Sequence, residues 1–342
     1  MRNLLRKNNA FVALLIVLLV STVVFGAEQY PVRSLNNIVF SSAGGGTDVM
    51  NRYLASKLEQ ILKQRMIVSN MPGGLGGTAA EYVWAQKHDG YTVLGCSETI
   101  TTFLVNNATK HGVNDWQFFI AAGSPGVIAV DAKSPYDTIE DFVKAAAKNP
   151  GKIKIANSGK GKLWNIKAAI LERNAGVKFM HVPYNGSNPA IISVLSGETN
   201  AVSAALGEVS EHVRAGKLKI LLITEDSPVK DKAYANIPLI TDLYPESAKY
   251  FPSRQWLGFA VPKDTPQAVI AILEDAFQQV MNDPEIDKFM DQQFMEKLAL
   301  SGEEANEFAL GMEANLSWIS QLLGFSKVDP ATLNIPKPAW RE

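Results

Sequence analysis

The stretch SSAGGGTDVM, Ser41–Met50, follows the apolar run Ile38-Val39-Phe40 and leads into a helical pattern. Over Asp48–Lys63 the residues Met50, Leu54, Leu58, Ile61 and Leu62 share one face, the spacing of an amphipathic helix. Three adjacent glycines between strand and helix clear side chains from the backbone, and Thr47 or Asp48 supplies a helix cap. A helix N-terminus carries unpaired N–H donors and about half a positive charge, which suits a carboxylate or phosphate. A plain cap needs fewer glycines, so the stretch reads as an anion seat.

The design recurs in SNMPGGLGGTAAEYV, Ser69–Val83: strand, glycine turn, Thr78, helix. Gly74–Ala79 also fits the G-x-G-x-x-A dinucleotide pattern. It belongs, however, to the second strand–helix unit, and no acidic residue ends a following strand at the usual distance, Glu98 lying 24 residues beyond Gly74. A third loop, NSGKGKLWN at Asn157–Asn165, puts Lys160 and Lys162 in the turn. It is not a Walker A loop, because no glycine sits five residues before either Gly-Lys pair. Facing a cleft, these lysines would add point charges to backbone donors.

Apolar runs alternate with helical patterns along most of the chain. Strands are expected at Asn37–Phe40, Met66–Ser69, Thr92–Gly95, Phe118–Ala121, Val127–Val130, Ile153–Ala156, Ala201–Ala204 and Ile220–Thr224. Helices are expected between them at Gly77–Lys87, Ile139–Lys148, Leu163–Asn174, Pro189–Ser196 and Glu208–Ala215. This alternation predicts an α/β protein with open, mainly parallel sheets, helices on both faces and a ligand beyond the carboxyl ends of the strands. The turn-rich region Asp226–Pro252 reads as a connection between domains. After it the chain turns helical, with Thr265 as cap and Pro266 at the first helical position, then Ser301 as cap with Glu304 three residues on.

Arg2, Arg6 and Lys7 precede the run Ala10–Val20 and the small residues of VFGAEQ, the layout of a secretory signal peptide over residues 1–26. The run is short for a spanning helix, which needs about 20 apolar residues. Without those three cations, the 33 basic residues fall to 30 against 34 acidic ones, a net charge of −4 and no basic excess to suggest nucleic acid. Cys96, the single cysteine, excludes an internal disulfide.

The segment AGGGTDVMNRYLASKLEQILKQRMIVSNMPGGLGGTAAEYVWAQKHDGYTVL resembles the substrate-binding proteins of tripartite tricarboxylate transporters. So do MHVPYNGSNPAIISVLSGETNA, VRAGKLKILLIT and GFAVPKDTPQAV, in the same order, from about Val39 to Asp291. The resemblance implies a two-lobed periplasmic receptor of the type II kind, without cofactor, closing on a small organic anion and delivering it to a membrane permease. It implies a carboxylate between the first two glycine loops, nominating Ser42, Gly46, Thr47, Asp48, Gly76, Gly77 and Thr78. From the second lobe it nominates the loop with Gly159, Lys160 and Lys162 and the strand end with Ala205 and Glu208; Ser97 ends the third strand. The expected division is residues 27–126 plus 227–342 for one lobe and 127–226 for the other, in a monomer. Glu98, among Ser97, Thr99 and Thr101, would repel a bare carboxylate unless the ligand carries an amine or Glu98 points away.

An enzyme is a poorer match. The four histidines, His88, His111, His181 and His212, are widely separated, and no G-x-S-x-G elbow, H-E-x-x-H motif or metal-spaced cluster appears. A hydrolase would need a histidine within reach of Ser97 or Ser158. A periplasmic sensor reporting to a signalling partner would share every feature of the receptor.

Overall fold

The structure, a computed structural model, describes residues 30–339, so the expected signal peptide lies outside the described residues. The fold described below belongs to the compact unit that begins at Arg33. Its strands are β1 (Leu35–Val39), β2 (Met66–Asn70), β3 (Thr92–Ser97), β4 (Trp116–Gly123), β5 (Gly126–Asp131), β6 (Lys154–Asn157), β7 (Met180–Pro183), β8 (Ala201–Ala205), β9 (Leu218–Ile223), β10 (Leu257–Pro262) and β11 (Glu296–Leu300). Its α-helices are α1 (Gly46–Leu62), α2 (Gly77–Trp84), α3 (Ile139–Lys148), α4 (Leu163–Ala175), α5 (Ser187–Leu195), α6 (Leu206–Arg214), α7 (Ile240–Leu243), α8 (Gln267–Met281), α9 (Pro284–Gln292) and α10 (Gly302–Leu322).

The strands form two sheets, ordered β11-β4-β10-β3-β1-β2 and β7-β6-β8-β5-β9. Both are mixed, which corrects the mainly parallel expectation. The strand–helix units keep their parallel pairing: β1 with β2 and β3, β6 with β7 and β8. Each sheet also takes a strand delivered by a chain crossing. After β4 only Ser124 and Pro125 intervene before β5, which runs antiparallel to β8 and β9. The return crossing delivers β10 antiparallel between β3 and β4. In both sheets the strand delivered by a crossing pairs antiparallel, whereas a parallel neighbour within a sheet needs a helical crossover.

Local chemistry sets the helix ends. Thr138 and Asp141 form a capping box at the start of α3, the Asp141 N–H donating to Thr138 Oγ1 and the Thr138 N–H to Asp141 Oδ2. Pro266 stands one residue before α8 rather than at its first position. The core is aromatic where β4 meets β10: Phe119 stacks on Phe259 at 4.5 Å, and Phe118 meets Trp256 edge-on at 5.5 Å. This second contact fixes the segment just before β10.

The two crossings are joined in the interior. The Gly126 N–H donates to Glu225 Oε1 at 2.8 Å, and the Thr224 N–H donates back to Gly126 O at 2.8 Å. From α4 the buried Lys167 Nζ donates to Thr224 O at 2.6 Å and to Glu225 Oε2 at 3.0 Å. Gly126 leaves no room for a side chain, since a Cβ there would lie 2.5 Å from Thr224 Oγ1 and 2.7 Å from the Trp164 ring. Burial disfavours both charges, lowering the Lys167 pKa and raising that of Glu225, and each partner pulls the other back. Removing one partner strands the other: Lys167→Met should lower the unfolding free energy by about 3–5 kcal/mol in urea titration, and adding Glu225→Met should recover most of it.

Glu313 on α10 is 6 % exposed, and burial pushes its carboxyl up to about 7, with Asp115 adding in the same direction and the Val113 N–H opposing. The folded state therefore holds a proton that the unfolded chain, with a carboxyl at 4.5, releases earlier. This group's contribution is full below pH 4.5 and is lost as pH rises through 7. Glu313→Gln should leave stability nearly unchanged at pH 4 and raise it by about 3 kcal/mol at pH 8, read from urea midpoints across that range.

Candidate functional site

The first glycine loop is held from below by one buried side chain. Asn51, a turn into α1, donates from Nδ2 to Thr47 O at 2.8 Å and to Gly258 O at 2.9 Å, while its Oδ1 accepts from Asn37 Nδ2 at 2.8 Å. The first turn of α1 is thereby tied to β1 and β10 together. Asp48 does not line the inner cavity described below; its carboxylate accepts from Gly44 N–H, Asn70 Nδ2 and Arg52 Nε. Burial opposes ionisation of Asp48, but these donors outweigh it and hold its carboxyl below the usual value.

At the N-terminus of α1 a carboxylate is already seated. Glu208 Oε1, from α6 of the second sheet, accepts from the Gly46 N–H at 2.8 Å, and its Oε2 accepts from Ala205 N–H at 3.1 Å. Burial raises the Glu208 pKa while the Gly46 amide, the Ser187 hydroxyl and the Ala205 amide pull it down. The loops of the two sheets also meet at Gly186, where a Cβ would fall 2.1 Å from Ser42 Oγ, and at Gly207, where it would fall 2.0 Å from Gln293 O. Glycine at both points lets the two halves of the fold approach to backbone contact.

Between them lies a cavity of about 30 Å³. Its wall includes Ser41, Ser42, Gly45, Gly46 and Thr47 from the first loop, and Ser97, Glu98 and Thr99 after β3. Ser158, Lys162, Trp164 and Glu208 come from the second sheet, and Gln255 from the segment before β10. That volume holds about two water molecules. A second, wider cavity of about 480 Å³ lies alongside, sharing Ser158 and Lys162 and bounded by Gly159, Lys160 and Lys327.

Charge in the inner cavity is unevenly satisfied. Glu98 is 3 % exposed; its Oε1 accepts from Thr99 Oγ1 at 3.3 Å, but its Oε2 is buried without a hydrogen-bond partner. Burial pushes its carboxyl up to about 7, against the pull of nearby hydrogen bonds and of the Lys162 charge. Lys162 is half-buried, its Nζ lies 5.7 Å from the Phe40 ring centroid, and burial lowers its pKa while Glu98 raises it. Gln255 Oε1 and the hydroxyls of Ser41 and Ser42 are also buried without partners.

The structure thus brings Ser42, Gly46, Thr47, Ser97, Lys162 and Glu208 to one cavity, and puts Gly159 and Lys160 on the wider one. Ala205 contributes its N–H to Glu208. Gly76, Gly77 and Thr78 do not line the inner cavity. Gly76 packs under Phe40 and Phe103, a Cβ on Gly77 would lie 2.2 Å from Ala108 O, and Thr78 is exposed. Both glycines sit where a side chain would collide with its neighbours. Gln255 was not foreseen; the apolar run Trp256–Val261 directly after it was the available sign of a strand end. The inner wall contains no histidine: His181 bonds Asn165 and Glu172, and His88 bonds Trp84 O and Asp264. Among the described residues no group of three His, Cys, Asp or Glu side chains is placed to hold a metal, and no helix is long and apolar enough to cross a membrane.

Two mixed α/β halves meeting over a polar cavity define the fold of a two-lobed periplasmic binding protein. The model of the tripartite tricarboxylate transporter family receptor, TctC, matches residues 50–324, and the chain belongs to that family. It is 27 % identical over 305 residues to the "UPF0065 protein in gbd 5'region" of Cupriavidus necator, covering 88 % of this chain and 90 % of the relative. A TctC solute binding protein from Polaromonas is similar at 29 % identity and a TM-score of 0.62, over 86 % of this chain and 99 % of the other. An R. palustris protein solved with adipate shares the fold, at a TM-score of 0.80 and 20 % identity, over 87 % and 99 % of the two chains.

Asn51 generates a prediction of its own. Asn51→Ala leaves Asn37 and Gly258 O without their buried partner and should cost roughly 2–4 kcal/mol in urea unfolding. An unaltered unfolding midpoint would mean the loop is held by other contacts.

Proposed function

We propose that this chain is an extracytoplasmic solute receptor that binds a small organic carboxylate between its lobes and delivers it to a tripartite tricarboxylate-type permease. The observation that carries the reading is the Glu208 carboxylate on the Gly46 amide: the end of α1 takes a carboxylate oxygen at 2.8 Å. Lys162 and the Ser42 and Thr47 hydroxyls stand on the same cavity wall, ready to receive a second such group. Family membership supports the receptor role, and the adipate-bound relative supports it at the level of fold alone.

In this reading the lobes are residues 27–126 with 227–342, and 127–226, hinged where β4 passes to β5 and where β9 leads back. The protein works in the periplasm as a monomer after loss of residues 1–26, and it carries its solute without altering it.

The test is a thermal-shift and calorimetric screen of the purified protein against mono-, di- and tricarboxylates and amino acids. A ligand held only by the folded state at 100 times its Kd stabilises by about 2.7 kcal/mol, a shift of several degrees. Ser42→Ala combined with Thr47→Ala should weaken the bound class about 10-fold or more, while the ligand-free protein stays folded. Affinity unchanged in that double variant would remove the proposed carboxylate seat.

A further inference from the structure

We infer that the inner cavity selects a solute bearing a protonated amine as well as a carboxylate, with Glu98 and Gln255 receiving the amine. The inference rests on the carboxylate-receptor reading above and narrows its substrate class. It starts from a charge imbalance: two carboxylates, Glu98 and Glu208, face the cavity against one ammonium, Lys162. Glu208 is spoken for, each of its oxygens accepting a backbone N–H. Glu98 is less well served: Oε1 has the long Thr99 bond and Oε2 no partner of good geometry, the Ser97 hydroxyl and the amides of Glu98 and Trp256 only pulling on the carboxyl from nearby. Among the described residues no hydrogen bond or ion pair joins it to Lys162, which acts on it through space.

The position of Glu98 is built, not incidental. It follows Ser97 at the end of β3, and its own N–H donates to Trp256 O at 3.3 Å across to β10. That bond sets it next to the segment carrying Gln255, itself 5 % exposed with Oε1 unpartnered. The same wall therefore presents two buried acceptor oxygens without donors. A buried acceptor left unpaired costs about 1–3 kcal/mol, more when charged. A bare carboxylate brings only further acceptors and a second negative charge beside Glu98. An ammonium brings three N–H donors and the opposite charge. Its companion carboxylate then meets Lys162 and the unpartnered Ser42 hydroxyl, so that Glu98 and Lys162 each face an opposite charge while Glu208 rests on backbone amides. A site built to pair with a donor rejects the analogue that lacks it, because its own acceptors then stay unsatisfied.

The experiment uses matched pairs differing only in the α-amino group: L-aspartate with succinate, L-glutamate with glutarate, and L-phenylalanine with 3-phenylpropionate. Calorimetry on the purified protein at pH 8 should show the amino member of at least one pair binding 10- to 100-fold more tightly than its partner. Glu98→Gln should collapse that ratio to a few-fold, whereas Lys162→Gln should weaken both members together. Circular dichroism and the ligand-free melting temperature establish that each variant is folded; should Glu98→Gln not fold, the wild-type ratio still decides. Desamino acids binding as tightly as amino acids, or a ratio unchanged by Glu98→Gln, would overturn the amine site and leave the receptor reading standing. If neither class binds, and denatured protein releases no small solute to mass spectrometry, the receptor reading falls and this inference with it.

Discussion

The fold turns on a buried ion pair. Lys167 and Glu225 lie where the chain passes between sheets for the second time, and Glu225 also accepts the amide of Gly126, where it passes the first time. Two separate strands of connection are thereby fastened at one point. Such a pair adds little net stability over apolar packing, because desolvation consumes most of the attraction. What it provides is register: Glu225 is fully bonded only when both crossings are side by side. The same two halves that this pair joins at the crossings meet again where Glu208 accepts the Gly46 amide.

Polar side chains at the meeting of the two halves divide into those that build and those that wait. Asn51, Asp48 and Glu208 are saturated by backbone and side-chain partners, and they hold the first loop in shape. Glu98 Oε2, Gln255 Oε1 and the Ser41 and Ser42 hydroxyls are buried without partners. Native interiors rarely tolerate such groups unless another molecule completes them. At this one cavity burial alone does not distinguish Glu208, both of whose oxygens accept backbone amides, from Glu98, whose Oε2 has no such partner.

Much of this was legible in the sequence where periodicity is strong. The strand, glycine loop and helix of residues 37–63 appear as read, because an apolar run followed by helical spacing has few other solutions. Strands β7, β10 and β11 were not anticipated: MHVP is four residues ending in proline, LGFAVP carries a glycine and a proline, and EKLAL is only partly buried. Without β10 its antiparallel sense could not be foreseen, nor the mixed sheets, nor Gln255 at the cavity. The two glycine loops looked alike, yet Gly46 offers its amide to a carboxylate while Gly77 makes room for Ala108 O. That difference belongs to tertiary neighbours, which composition does not encode. Glu98 was noticed as an anomaly of charge, and its orphaned oxygen gives the anomaly a location.

For a receptor of the proposed kind, the bond between Glu208 and Gly46 also sets a threshold for cargo. A carboxylate tethered within the same chain competes as though present at millimolar concentration or above. Any free anion that claims the Gly46 amide must first outcompete this resident one. Weak, abundant anions fail that contest at ordinary concentrations, whereas a solute that gains compensating contacts elsewhere in the cavity succeeds. On the receptor reading proposed above, the side chain that joins the two halves doubles as a filter against small free acids.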